Sequence, residues 1–349
     1  TVGNCTARTP RRSIAKAATE LPTRAPATCD WIDSTVFIRP VSPGFVGWAS
    51  QRRPVPTMTS DIRPRRSCLY MPGANPKALE KAKSLATDVV IFDLEDSVAP
   101  EAKPDAREAV KAALAVGGYG GRELIVRTNA LATPWGADDL AMAATAGPHG
   151  VLVPKIDTAA DVIAASQALD TAGAPPSLTL WAMIETPLAI LNIKDIAATA
   201  GHTRLRTFVM GTNDLAKDLH CAQTLDRLPF LAALSFSVIA GRAYGLTVID
   251  GVFNDIQDEA GFEAICRQGL GLGFDGKTLI HPSQIAPCNA VFAPTEAEQA
   301  WAQGVIAAFA DPANAGKGVL KVDGKMTELL HLEQAKRVVA ISAAIAALG

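Results

Sequence analysis

From Arg65 onward the chain alternates short apolar runs with longer helical stretches, and this rhythm restricts it to a parallel α/β architecture. The apolar runs predict strands at Ser67–Met71, Asp88–Leu94, Glu123–Asn129, Gly150–Lys155, Leu178–Glu185, Thr207–Met210, Leu246–Ile249 and Gly273–Ile280. Helical patterns fall between them, at Lys77–Ala86, Ala102–Ala115, Ala159–Thr171, Pro187–Ala200, Pro229–Ala243 and Asp258–Leu270. Eight such strands within roughly 220 residues match a (β/α)8 TIM-type barrel, a fold of about 250 residues. A doubly wound open sheet is the other arrangement, but no GxGxxG follows the first strand. Beyond His281, residues 295–312 and 327–347 are predicted as two more helices, joined by a polar connector over Gly316–Gly324. The expected plan is a leader at 1–57, a catalytic barrel at 63–290 and a C-terminal helical extension at 291–349.

The leader differs from the rest in composition. Residues 1–57 hold eight Lys/Arg against three Asp/Glu and are rich in Pro, Thr and Ser, which predicts disorder. Met58 is the expected start of the native chain, with 1–57 a non-native extension. An Arg-rich, acid-poor leader also resembles a mitochondrial transit peptide, although its prolines fit an amphipathic helix poorly. The whole chain has a net charge of −2, so the part beyond the leader is acidic, which argues against nucleic acid as a partner. Six scattered cysteines without a CxxC pair are expected to stay reduced, in cytoplasm or another reducing interior. No run approaches 18 apolar residues, so no membrane span is expected.

Two of the apolar runs close on carboxylates: Trp181-Ala-Met-Ile-Glu185 and Thr207-Phe-Val-Met-Gly-Thr-Asn-Asp214. In parallel α/β folds chemistry collects at the C-terminal tips of strands. Two oxygen ligands with positions left over suit Mg²⁺. Phe92-Asp-Leu-Glu-Asp-Ser97 places Asp93 and Glu95 on one side of the second strand, as proton-handling groups or as a helix-capping loop. Arg127 ends the third strand, where its fork suits bidentate binding of a substrate acid or a salt bridge to Asp93 or Glu95. Lys155 ends the fourth and is a candidate for Schiff-base chemistry. Lys77 and Lys81, at i and i+4 after Tyr70-Met-Pro-Gly73, present two cations suited to phosphates, or a solvated helix face. His281 and Asp250 stand at strand ends, with catalytic and packing readings both open. Glu328 precedes the last helix, where a carboxylate is favoured in any case.

In order along the chain, Arg66-Ser-Cys-Leu-Tyr-Met-Pro-Gly73, Phe92-Asp-Leu-Glu-Asp96, Val126-Arg-Thr-Asn129, Met183-Ile-Glu-Thr-Pro187, Gly211-Thr-Asn-Asp214, Ile249-Asp-Gly-Val252 and Gly276-Lys-Thr-Leu-Ile-His-Pro282 resemble the citrate lyase β-subunit-like family, which includes malyl-CoA and citramalyl-CoA lyases. The resemblance implies a TIM-type barrel in homotrimers or homohexamers. It implies that Glu185 and Asp214 hold Mg²⁺ and that Arg127 grips the substrate carboxylate. Tyr70, Lys77, Lys81, Asn213, Ile280 and His281 would contact coenzyme A. The family's C-terminal segment reaches over a neighbouring subunit and supplies an aspartate as acid/base. Glu328 matches that position with one more methylene, and a displacement of about 1 Å can cost about 10²-fold in rate. The implied activity is retro-Claisen cleavage of a malyl-, citramalyl- or citryl-CoA thioester to acetyl-CoA and a 2-oxo acid. Alternatives are a malyl-CoA thioesterase in the same site, a citrate lyase β subunit acting on a carrier-protein thioester, and a non-catalytic binding protein of barrel fold.

Overall fold

The computed structural model describes residues 62–348, so the expectations for the leader at 1–57 lie outside the described residues. Eight parallel strands close on themselves in chain order: β1 (Ser67–Pro72), β2 (Val89–Asp93), β3 (Glu123–Arg127), β4 (Gly150–Val153), β5 (Thr179–Ile184), β6 (Leu205–Met210), β7 (Thr247–Asp250) and β8 (Gly276–Leu279), with β8 paired back to β1. The helices outside them are α1 (Pro76–Ala82), α2 (Lys103–Val116), α3 (Gly136–Ala146), α4 (Ala159–Thr171), α5 (Pro187–Leu191), α6 (Ile193–Ala198), α7 (Thr212–Leu219), α8 (Leu231–Ala243), α9 (Glu259–Leu272) and α10 (Ile285–Phe292). The chain is an α/β TIM barrel, and all eight predicted strands are present.

Alternation along each strand divides the core in two. Cys68, Val89, Ile91, Ile125, Leu152, Trp181, Met183, Val209 and Ile249 fill the barrel interior, with Tyr70 packed against them. The intervening residues, such as Leu69, Val90, Phe92, Val126 and Phe208, join the larger layer between sheet and helices. Arg65 is associated with the N-terminal end of the interior. Its Nε and Nη2 donate to Glu123 at 2.6 and 2.8 Å, Nη1 donates to Thr247 Oγ1 at 2.8 Å, and its guanidinium lies 5.0 Å from the Trp181 ring centroid. The opposite, C-terminal end stays open to groups delivered by the strands.

Several elements depart from the pattern. The helix expected over Pro187–Ala200 breaks at Asn192, which leaves helical geometry (φ −98°, ψ 6°) while its Nδ2 donates to Asp157 O at 2.9 Å. The polar connector contains half of an antiparallel hairpin, β9 (Val319–Val322) and β10 (Lys325–Glu328). Asp323 and Gly324 both take positive φ (49° and 80°) at its turn, the conformation that Asp-Gly favours. Glu328 therefore ends a strand, and the last helix begins after it. Helices α11 (Glu296–Ala310) and α12 (Leu329–Leu348) pack through Ala302, Val305 and Ala335. Arg337 Nη2 ties α12 to Asp275, just before β8, at 2.7 Å. No helix among the described residues is long and apolar enough to cross a membrane.

The interior layer rests on Trp181, which has no exposed surface. Trp181→Ala is expected to lower stability by about 3–5 kcal/mol, the usual range for deleting a buried tryptophan. Urea unfolding would measure it. A loss below about 1 kcal/mol would show that this ring does not hold the barrel interior.

Candidate active site

Parity decides which strand residues reach the open mouth. Tyr70 follows Cys68, Asp93 follows Ile91, Arg127 follows Ile125 and Glu185 follows Met183, each two residues beyond an interior side chain. Asp93 and Arg127 are also register partners across β2 and β3. Arg127 Nε and Nη2 donate to the two Asp93 oxygens, both at 2.7 Å. Backbone N–H groups of Glu95 and Ser97 donate to the same carboxylate at 2.9 and 3.1 Å. Asp93, expected among the catalytic groups, thus has both carboxylate oxygens engaged by Arg127. The fork of Arg127, expected to bind a substrate acid in bidentate fashion, is already engaged by Asp93. Only Nη1 faces the other carboxylates, Glu95 Oε2 at 2.8 Å and Asp96 Oδ2 at 3.2 Å.

Tyr70 lies beneath this guanidinium, its ring centroid 4.7 Å from Arg127 Cζ and its buried hydroxyl without a hydrogen-bond partner. It thus sits within the barrel, whereas Lys77 and Lys81 are exposed on α1. Burial raises the Glu95 carboxyl from 4.5 to about 8; the charges of Asp96, Glu185 and Asp93 add to this, while Arg127 opposes it. Oε2 of Glu95 has no hydrogen-bond partner, because Arg127 Nη1 approaches it out of line. The loop carrying Glu95 is fixed from outside by Lys103, whose Nζ donates to Leu94 O at 3.1 Å, Glu95 O at 2.8 Å and Asn129 Oδ1 at 2.7 Å. Sequence reasoning missed Lys103. The available signal was a lysine in the first turn of a helix, where the macrodipole disfavours a cation.

Glu185, 2% exposed, and Asp214 converge on one point. Asp214 is delivered by the first turn of α7 and not, as expected, by a strand tip. Gly211 makes the convergence possible: a Cβ there would collide with Glu185 Cβ and lie 2.7 Å from its Oε2. Between the carboxylates sits the Lys155 ammonium, paired with Asp214 Oδ2 and 3.3 Å from Glu185 Oε1. The Lys155 backbone N–H donates to Glu185 Oε1 at 2.8 Å from a left-handed residue at φ 55°. Burial, with the Asp214 charge adding to it, lifts the Glu185 carboxyl to about 7 against the pull of Lys155. Burial works against the Asp214 charge too, but Lys155 and Lys217 outweigh it and hold Asp214 below the ordinary aspartate range. Burial alone would lower the Lys155 amine, yet both carboxylates hold it above the usual lysine value. A Schiff-base role needs a neutral amine, and this pairing favours the charged form.

Two hard oxygen donors meeting at one cation position fit Mg²⁺, which keeps water or substrate oxygens on its remaining sites. Among the described residues no cluster of three or more His, Cys, Asp or Glu is assembled. Asn213 is exposed beside Asp214, with Nδ2 directed to Asn254 Oδ1 at 3.3 Å. Ile280 and His281 are exposed after β8, next to the β1 exit that leads to Lys77 and Lys81, and His281 Nδ1 pairs with Ser283 Oγ at 2.8 Å. Asp250 takes the packing role: it faces outward toward α9, bound by Arg227 Nη1 at 2.7 Å and Lys277 Nζ at 3.2 Å. Glu328 belongs to the hairpin of the extension, whose α12 is tied to the barrel beside Asp275, at the entrance of β8 and away from the mouth.

A family model described as HpcH/HpaI aldolase/citrate lyase matches residues 66–282. The chain is 48% identical over 290 residues to a (3S)-malyl-CoA thioesterase of Cereibacter sphaeroides, covering 83% of this chain and 99% of the relative. It is 36% identical to the citrate lyase subunit beta of Escherichia coli, covering 79% and 92%. Among solved structures it is similar to the CitE protein of Mycobacterium tuberculosis in complex with magnesium, acetoacetate and coenzyme A. That likeness has a TM-score of 0.65 and 28% identity, and covers 81% of this chain and 100% of the other.

The raised Glu95 carboxyl has a consequence for stability. Between pH 4.5 and about 8 the folded protein keeps a proton at Glu95 that the unfolded chain releases. That contribution is fully present below 4.5 and is lost as pH rises through about 8. In metal-free protein, the wild type is therefore expected to weaken relative to Glu95→Gln across this window, read from urea midpoints at several pH values. A difference that does not change with pH would mean that Glu95 titrates normally.

Proposed function

The chain belongs to the HpcH/HpaI aldolase/citrate lyase family, and from this we propose that it acts on a malyl-CoA-like thioester with Mg²⁺, hydrolysing it to the free hydroxy acid and coenzyme A. The observation that carries the reading is the convergence of Glu185 and Asp214 on one cation position at the barrel mouth, in the same chamber as Arg127. The 48% identity to a malyl-CoA thioesterase over nearly its full length supports hydrolysis, and the CitE complex supports both the metal and coenzyme A.

In this reading Glu185 and Asp214 hold the metal. When bound, Mg²⁺ supplies Lewis-acid polarisation of the hydroxy-acid oxygens. Arg127, kept rigid by Asp93 and Tyr70, offers Nη1 to the substrate carboxylate. Glu95, neutral near pH 7, approaches that anion without repelling it and holds a proton within the chamber. Lys77 and Lys81, with Asn213, Ile280 and His281 at the rim, are placed for the coenzyme A moiety, and the two exposed lysines favour free coenzyme A over a carrier-protein thioester. Glu328, flanked by the exposed Met326 and Leu329, would reach the mouth of a neighbouring subunit in a homotrimer or homohexamer.

Carbon–carbon cleavage is the second reading, favoured by the family match and by the citrate lyase relative. The same residues would then complement the charge of a leaving 2-oxo acid, and acetyl-CoA would be released.

Purified protein with Mg²⁺ and malyl-CoA is expected to yield malate and free coenzyme A, identified by mass. Glyoxylate and acetyl-CoA would establish the lyase reading in its place. EDTA, Glu185→Ala and Asp214→Ala should each cut turnover by at least about 10²-fold, the scale of several kcal/mol of lost charge stabilisation. Full turnover in EDTA would remove the metal from the account.

A further inference from the structure

The Lys155 ammonium occupies the one place where both Glu185 and Asp214 can share a cation. We infer that Lys155 is a resident counter-ion that exchanges with the divalent metal, bridging the two carboxylates in the metal-free protein and withdrawing when the metal binds. This rests on the Mg²⁺ reading above and adds a role for a residue that reading leaves unused.

Three observations carry it. First, the two carboxylates are brought together by the backbone, through Gly211 and the start of α7, so their like charges meet whether or not a metal is present. Second, Lys155 has two separable links to the pair. Its backbone N–H donates to Glu185 Oε1 at 2.8 Å from the strand tip, whereas the ammonium comes from the far end of a flexible side chain that is 40% exposed. The ammonium can leave toward solvent while the N–H keeps Glu185 aimed. Third, Lys155 holds φ 55°, a left-handed conformation uncommon for a side-chain-bearing residue. That backbone turn is what brings one residue's N–H and side chain to the same carboxylate. Lys217 supplies a contrast: its Nζ is 3.5 Å from the other Asp214 oxygen, and its side chain is 73% exposed on α7. It adds positive charge beside the site without standing between the ligands.

The exchange predicts competition. Removing the ammonium should tighten divalent binding, because the metal no longer displaces a bound cation. Mn²⁺ affinity, measured by electron paramagnetic resonance titration, is expected to rise on the order of tenfold in Lys155→Met. It should change by less than about twofold in Lys217→Met, as for an exposed pair. Lys155→Gln should match Lys155→Met and guards against a folding defect in either one. A crystal structure of the metal-loaded wild type should show the Lys155 ammonium clear of both carboxylates while its N–H stays on Glu185. Equal gains in the Lys155 and Lys217 variants would reduce the effect to general charge and overturn the exchange. Unchanged or weaker binding in Lys155→Met, or an ammonium still bridging in the loaded crystal, would overturn it as well. Failure of the metal reading is distinguishable: wild-type protein would then bind no Mn²⁺, or binding would survive Glu185→Gln combined with Asp214→Asn.

Discussion

Negative charge held at close range, partly out of water, is what the mouth of this barrel must contain. Asp93, Glu95, Asp96, Glu185 and Asp214 all reach it, and Glu185 and Asp214 share a single cation position. Two unit charges 4 Å apart interact by about 4 kcal/mol at an effective dielectric of 20, enough to open the cup if nothing answered it. Three devices answer it. Arg127 neutralises Asp93 in a two-pronged pair, Glu95 retains a proton because burial disfavours its charge, and Lys155 lies between Glu185 and Asp214. The cup is balanced without being strongly positive. In the proposed function, attraction for an anionic substrate therefore depends on adding a divalent ion, and Arg127 alone does not provide it.

The scaffold makes such a concentration of charge tolerable by dividing labour between the two ends of the barrel. At the entrance of the strands, Arg65, Glu123 and Thr247 form a saturated network against Trp181 with little left to react. At the exits, side chains two residues beyond the interior layer have no further layer above them and face the open mouth. Hydrophobic packing in the middle fixes the strands, and parity then dictates which residue reaches the exit. Lys103 applies the same logic from outside, pinning the carbonyls of Leu94 and Glu95 so that the Glu95 carboxyl is presented in one place.

The strand order and most helices were legible because apolar runs closed by breakers report a buried parallel strand directly. The same legibility extended to Glu185 and Arg127, which end such runs. It failed where structure is made by contact instead of pattern. The helix α3 lacks a side-chain cap and begins at Gly136, so only the aspartates of its first turn, Asp138 and Asp139, mark its start. The break at Asn192 depends on a hydrogen bond to Asp157, 35 residues earlier in the chain. The hairpin at the C-terminus did carry a signal, Asp323-Gly324, hidden by a composition that reads as a loop. Asp250 shows the limit most clearly. Its place at a strand end resembles that of Glu185, yet it faces outward and is bound by Arg227 and Lys277, because it stands an odd number of residues from the interior Ile249.

Hydrolysis and carbon–carbon cleavage make different demands on one cup, and the difference lies in proton handling more than in metal binding. Under either reading an anionic acid would lie between Arg127 and the metal that Glu185 and Asp214 would hold. Cleavage also needs a group to protonate the carbon of the departing enolate, whereas hydrolysis needs water at the thioester carbonyl and a proton for the leaving thiolate. In the proposed function Glu95, neutral at pH 7, would serve as a donor in either case but would be a poor base toward water until it ionises near pH 8. The base for water would then come from the extension, where Glu328 reaches one methylene further than an aspartate. In the proposed function that extra methylene would suit a water better than a carbon acid, which needs tighter placement, so the choice between the two reactions would rest on this one side chain more than on the barrel.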